Sequence, residues 1–221
     1  GEPRELAHRE IDLRRLAVSD RLVVAVSSEI VFDFLAREGA RVVYPHAENL
    51  PDAWAGWSGA DLVVVRDTAL HKLGAPQVAA LERWVQAGGT IVFTGGAAAL
   101  QLGASGLARL LPVEVAGLVE TAALPSLGRL AGTAPPTGPA IVAGSVARDG
   151  AIVLAAAASR ESAARDAIPL VAIRRTGAGT TAWLAFDPAD RAFAAWPGLP
   201  ALWRAVAGDA TGIPADDDAL R

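Results

Sequence analysis

The sequence predicts an α/β fold: a mainly parallel sheet with helices on both faces, extended by antiparallel hairpins in the C-terminal third. Three observations predict it. Between Ala60 and Gly96 the chain reads strand, loop, helix, strand and then a glycine-rich turn. A similar but shorter unit precedes it, from Arg21 to Tyr44. From Ala140 onward, apolar runs flank short turn signals. Strand–helix–strand units this compact require a right-handed crossover and parallel pairing.

The central unit is the clearest. Leu62-Val63-Val64-Val65 is an almost wholly apolar, β-branched run, as expected of a strand covered on both faces. Pro76 suits the first turn of a helix, where its missing N–H costs nothing. Val78, Leu81, Trp84 and Val85 then recur at helical spacing against Glu82, Arg83 and Gln86. Gly88-Gly89 stops the helix, and Thr90-Ile91-Val92-Phe93-Thr94 is the next buried strand.

In the first unit Arg21 to Val26 is a strand, and Ser27 or Ser28 caps a helix from about Glu29 to Arg37, with Ile30, Val31, Phe34 and Leu35 inward. Arg41 to Tyr44 follows Gly39 as a strand. Asn49 to Gly59 is a loop whose Trp54 and Trp57 cover the sheet edge. Ala97 to Gln101 and Gly106 to Leu111 read as helical turns, and Leu110 to Val113 leaves them extended. The pattern loosens from Glu114 to Pro139, ending in a Pro-rich surface loop. Ala140–Val146 and Ala151–Ala157 are expected to form a hairpin around Arg148-Asp149-Gly150. Ile168–Arg174 and Thr180–Phe186 form a second around Gly177-Ala178-Gly179. Ser159 to Asp166 is a loop or a frayed helix, and Leu199 to Val206 a closing helix with Leu202 and Trp203 inward. There is no internal repeat.

Composition sets bounds. A chain of 221 residues buries roughly 70% of its unfolded surface, so its core needs no disulfide or metal. Net charge is −4 with both signs interspersed, which argues against a nucleic-acid or anionic-membrane footprint. Lys72 is the one lysine. Cysteine is absent, excluding thiol nucleophiles, thiolate metal sites and disulfides. Methionine is absent too, so Gly1 is not read as a native start. The expected organisation is a leader over 1–20, joining a missing signal or membrane anchor, one domain over 21–208, and a disordered acidic tail over 209–221.

The runs ALERWVQAGGTIVFTGG, LARLLPVEV, PLVAIRRTGAGTTAWLAFDP and WPGLPALWR, in this order, resemble the class I glutamine amidotransferase-like domains. More narrowly, they resemble those in the extracytoplasmic parts of bacterial membrane-anchored proteins of unknown function. The likeness spans Arg21 to Ala207. It implies a flavodoxin-like sheet, a membrane anchor elsewhere in the full protein, an extracytoplasmic location, and kinship with hydrolysing enzymes. Catalytic members of that family carry a cysteine on the sharp turn after the strand matching Thr90–Thr94, and a histidine and an acid later. Here the turn reads Thr94-Gly95-Gly96-Ala97-Ala98, and the late strand is followed by Asp187-Pro188 with no histidine.

Parallel strands point their carboxyl ends the same way, so three loops should meet at one crevice. They bring Ser27, Ser28 and Glu29 after the first strand, Arg66 and Asp67 after the third, and Thr94, Gly95 and Gly96 after the fourth. Exposed N–H groups at Gly95-Gly96 could hold a small anion or a carbonyl, with Arg66 supplying charge and Asp67 limiting what fits. The alternative is that the glycines only permit the turn while Arg66 and Asp67 pair at an exposed rim. His8 lies in the leader; His46 and His71 follow strands. No cofactor is expected: GxGxxG is missing between the first strand and helix, and there is no GKS or GKT. No metal is expected either, since Asp61, Asp67, Asp187 and Asp190 are scattered and Asp216 to Asp218 lack an imposed geometry. Trp84, Trp183 and Trp203 fit core positions, while Trp54, Trp57 and Trp196 lie in loops and could mark a protein partner's surface. Two functions compete. One is a non-catalytic binding or interaction module taking a small anion or a protein partner. The other is a divergent hydrolase using Ser27, Ser28 or Asp67.

Overall fold

The computed structural model describes residues 21–37, 39–66, 72–157 and 167–208. The leader, the acidic tail, Asp67, His8, His71 and the segment Ser159–Asp166 lie outside the described residues. Seven strands form one sheet: β1 (Arg21–Val26), β2 (Ala40–Val43), β3 (Leu62–Val65), β4 (Thr90–Thr94), β7 (Ala151–Ala157), β8 (Ile168–Thr176) and β9 (Gly179–Leu184). Their order is β2-β1-β3-β4-β9-β8-β7. The first five strands in that order pair in parallel, and β9–β8–β7 continue antiparallel. This is the mainly parallel sheet with an antiparallel extension that the sequence predicts.

The continuous apolar runs account for the middle of the sheet. Every residue of β3 is fully buried, as are Ile91, Val92 and Phe93 of β4, because a central parallel strand has no solvent face. Helix α2 (Ala75–Gln86) carries Pro76 in its first turn and buries Val78, Leu81, Trp84 and Val85. The Gly74 N–H donates to Gln77 Oε1 at 2.9 Å, and Gln77 Nε2 donates to the carbonyls of Ala47 and Leu50, so one side chain caps the helix and anchors the preceding loop. Helix α6 (Leu199–Ala207) closes the fold, with Trp203 against Phe32 and Phe34 at ring distances of 5.7 and 5.8 Å.

Several expectations are corrected. The predicted helix from Glu29 is only α1 (Asp33–Arg37), preceded by an irregular stretch in which Ile30 is 69% exposed. The Ser27 hydroxyl accepts from the Glu29 N–H and donates to the Glu29 carbonyl, so a local turn replaces the cap. The predicted Ala140–Ala157 hairpin is absent. Instead β6 (Thr137–Ala147) pairs antiparallel with β5 (Val113–Ala123), making a separate two-stranded ribbon from a region expected to be loose. Arg148-Asp149-Gly150 does form a turn, with Gly150 at φ 75°, but it passes the chain from the ribbon to β7, which pairs with β8. Between β5 and β6 lies helix α4 (Pro125–Ala131). The remaining helices, α3 (Ala99–Gly103) and α5 (Arg191–Ala194), are short, the first matching the predicted turn after Gly96. The second hairpin, β8 with β9, stands as predicted.

The tryptophans also sort differently. Trp57 is 2% exposed and packs on Trp84 at 6.1 Å between ring centres. Trp196 is 5% exposed and donates its indole N–H to the Ala134 carbonyl at 2.7 Å. Of the three loop indoles, Trp54 alone is open to solvent, at 49%. Since Trp84 fills the space between Trp57 and Gly89, Trp84→Ala is expected to cost about 3–5 kcal/mol of stability in denaturant melts. A loss below about 1 kcal/mol would contradict this placement.

Candidate functional site

The strand order reverses between β1 and β3, the topological switch point where open α/β sheets form their ligand crevice. Both strands end beside it. The Arg66 N–H donates to the Val26 carbonyl at 3.0 Å, extending the β1–β3 ladder by one step, and this step aims the Arg66 side chain across the carboxyl edge. The side chain is 9% exposed. Its Nε lies 2.9 and 3.1 Å from the two carboxylate oxygens of Asp187, and Nη2 donates to Oδ2 at 2.9 Å. The other branch reaches Glu29 Oε2 at 3.1 Å and Ser27 Oγ at 3.4 Å.

Loops after β1, β3 and β9 therefore converge on one guanidinium. Ser27, Glu29 and Arg66 come together as predicted. Asp67 is not among the described residues, and Ser28 is exposed beside the cluster. Arg66 takes Asp187 across 121 positions of sequence as its partner, a residue that sequence reasoning reads as scattered. The available signal is its position, directly after the late strand, where catalytic members of the family that the sequence resembles carry histidine.

The glycine turn joins the cluster sterically. Gly96 adopts φ 66°, the left-handed region that favours glycine. A Cβ placed there would lie 2.9 Å from the Asp187 Cβ. At Gly95 a Cβ would meet the Ala185 backbone and the Trp183 ring at 3.0 Å. The expectation of accessible N–H groups is corrected here: the Gly95 N–H donates to the Leu184 carbonyl at 2.7 Å and the Gly96 N–H to that of Ala185 at 3.1 Å. The β4–β9 ladder runs on into the turn and consumes both donors. The Ala185 carbonyl also accepts from the Ala143 N–H of β6 at 2.6 Å, so the ribbon seals the edge from above. Thr94 is fully buried behind this seam, and its hydroxyl has no hydrogen-bond partner among the described residues.

The electrostatics follow from the geometry. Arg66 faces two carboxylates, so among the described residues the crevice offers an anion no surplus positive charge. Asp187 also accepts from the Ala189 N–H at 2.9 Å, which fixes its Oδ1 from a second side. Burial, and then the charge of Asp187, raise the pKa of Asp190 above the ordinary carboxylate value, while Arg66 opposes the shift. Ser27 donates its proton to a carbonyl rather than to a base. His46 is exposed after β2. Asp61, another of the acids that look scattered in sequence, holds the start of β1 in place. It accepts from the Leu22 N–H at 2.8 Å and pairs with Arg21 at 3.2 Å. Beside the cluster, a hollow of about 300 Å³ is lined by Ile30, Phe34, Arg37, Pro188 and Leu199.

Neither a known protein family nor a curated protein sequence matches the chain. Solved structures do match its fold. Cytoplasmic protein STM3548 from Salmonella typhimurium is 16% identical, with a TM-score of 0.60 over 85% of this chain and 97% of that one. A ThuA-like protein from Bacteroides uniformis is 10% identical, with a TM-score of 0.50 over 93% of this chain and 94% of the other. The exo-β-1,4-mannosidase Op5Man5 from Opitutaceae bacterium strain TAV5 is 18% identical, with a TM-score of 0.52; the match covers 87% of this chain and 37% of the mannosidase. At these identities the likeness carries the fold alone, and that fold is the class I glutamine amidotransferase-like one.

Two measurements test the cluster. Arg66→Met strands Asp187 beside Asp190 and Glu29 and is expected to cost about 3–5 kcal/mol in denaturant unfolding. Adding Asp187→Asn in that background removes the stranded charge while keeping an acceptor for the Ala189 N–H, and should recover a large part of the loss. A double variant no better than the single one would refute the pairing. For Asp190 the folded pKa lies above the unfolded one, so the ionised carboxylate carries a cost. That cost is present near neutral pH and is relieved as the pH falls through the raised folded pKa. Asp190→Asn should therefore be more stable than the parent near neutrality, with the gap closing as the pH approaches about 4.

Proposed function

We propose that the chain is a non-catalytic module, in which an amidotransferase-like fold serves as a binding or interaction scaffold. One observation carries this reading. At the turn where catalytic relatives hold nucleophile and oxyanion donors, both backbone N–H groups are bonded to β9 or the residue after it, and both side-chain directions are closed. Acyl transfer needs a nucleophile with an adjacent base and free donors beside the developing oxyanion. Neither is on offer at Gly95-Gly96.

The competing hydrolase has less to build on. The Ser27 hydroxyl is turned into a local hydrogen-bonded loop, and its other neighbour is the Arg66 guanidinium, which cannot accept a proton. The extracytoplasmic, membrane-anchored setting is part of the same proposal and rests on the sequence resemblance; among the described residues no helix is long and apolar enough to cross a membrane. The Salmonella neighbour carries the word cytoplasmic in its name, so fractionation of cells expressing the full reading frame, with the protein in the membrane pellet as the expected result, checks the setting directly.

The functional test is a glutamate-release assay with glutamine as substrate. The parent protein should release no more than a heat-treated control. Gly96→Cys restores the missing thiol in name, but its Cβ meets Asp187 and its backbone must hold a positive φ. That variant is expected to lose about 1–3 kcal/mol of stability and to gain no turnover. Turnover in either protein would overturn the non-catalytic reading.

A further inference from the structure

We propose that the cleft between the base of the β5–β6 ribbon and β8 is a binding site for a phosphate-class oxyanion, gripped by Arg148 and Arg174. The cleft has a volume of about 530 Å³ and is lined by both arginines with Glu114, Val146, Ala147 and Asp149. It lies away from the crevice. Arg174 stands opposite Thr181 of β9, and Thr181 sits beside Ile91 near the start of β4, so the cleft belongs to the amino end of the parallel strands.

Both guanidiniums are held in place by carbonyls rather than by a paired carboxylate. Arg148 donates its backbone N–H to the Pro112 carbonyl at 2.9 Å and its Nε to the Val113 carbonyl at 3.1 Å. Arg174 donates Nη2 to the Arg109 carbonyl at 2.8 Å. Each is half-buried, and neither forms an ion pair with a carboxylate among the described residues, in contrast to Arg21, Arg66 and Arg109. Burial, and then the charge of Arg148, lower the pKa of Arg174, yet an arginine stays cationic at neutral pH. Two like charges are thus kept near one another in partial burial, an arrangement that costs stability until an anion enters.

The donor set selects the ligand. Each arginine lines the cleft and spends one side-chain N–H on a carbonyl, which leaves further N–H groups for a ligand. A tetrahedral oxyanion can engage two forks on different edges, whereas a carboxylate has one edge to offer. The exposed Glu114 and Asp149 line the same cleft and bring its formal charge to zero, which disfavours polyanions such as nucleic acid. They accept hydrogen bonds from hydroxyls instead, so the remainder of a bound phosphomonoester is hydroxylated.

Calorimetric titration of the intact protein with inorganic phosphate, glucose 6-phosphate and glucose, at matched ionic strength in chloride, tests the site. Saturable binding of phosphate, of the sugar phosphate, or of both is expected, with none for glucose; the tighter of the two anions identifies free phosphate or its monoester as the ligand class. Arg148→Gln and Arg174→Gln should each weaken binding by about tenfold or more. Arg175→Gln, on the neighbouring strand position and bonded to Ala178 and Thr180, should leave it unchanged. The Nε–Hε NMR signals of Arg148 and Arg174 should shift together in the parent protein, a readout independent of any loss of fold in a variant. Absence of saturable heat, equal displacement by chloride, or affinity indifferent to both substitutions overturns the proposal. None of these results depends on glutamine turnover.

Discussion

The bidentate pair between Arg66 and Asp187 is the constraint around which the carboxyl edge is arranged. It joins the end of β3 to the loop after β9 and spans the intervening β4, whose turn it covers. Desolvating two charges is expensive, and an ion pair offsets that cost only when its geometry is good and its remaining lone pairs are satisfied. Here Asp187 receives two N–H groups of Arg66 and one from Ala189, while Arg66 takes Glu29 on its other branch. With Asp187 so fixed, its Cβ occupies the space over Gly96, and no side chain fits there. A histidine in place of Asp187 would set an imidazole against an almost fully buried guanidinium. The glycine turn and the late aspartate, which read as two separate departures from a catalytic pattern, are thus one structural event.

The ribbon completes that event. Its strand β6 buries Ala140, Val142, Ala143, Gly144 and Ser145, and the Ala143 N–H caps the Ala185 carbonyl that already accepts from Gly96. A carbonyl has two lone pairs, so this oxygen is saturated. Farther along the ribbon Leu118, Val119 and Ile141 stay exposed.

The central strands are legible in the sequence because their residues answer to one local requirement. A strand covered on both faces must be apolar throughout, and β3 and β4 are. The pairing of β6 is not legible, since a turn signal says where the chain bends and not which strand it bends toward. Arg148-Asp149-Gly150 makes its turn as read, but β7 pairs with β8, and β6 pairs with β5, whose glutamates, glycine and small residues hide its strand character. The loop tryptophans mislead for a related reason. Burial of Trp57 depends on Trp84, and burial of Trp196 on the Ala134 carbonyl, both tertiary partners that local composition cannot name. At the site, the convergence of Ser27, Glu29 and Arg66 follows from strand direction alone. The identity of the acid opposite Arg66 does not, because it enters from the far end of the chain.

Charge compensation separates the two ends of the sheet. At the carboxyl end, where the fold's general geometry invites a ligand, one guanidinium meets two carboxylates, and the backbone donors of the turn are spent internally. At the amino end, where that geometry gives no such invitation, two guanidiniums share a cleft, each tied to a carbonyl and neither to an acid among the described residues. A carbonyl fixes the position of a cation without cancelling its charge, although Glu114 and Asp149 share the lining. An ion-paired cluster stabilises a fold, whereas pre-positioned guanidiniums without a paired carboxylate keep donors that a ligand can use on binding. By that criterion the crevice serves the framework, and the proposed anion site lies at the opposite edge.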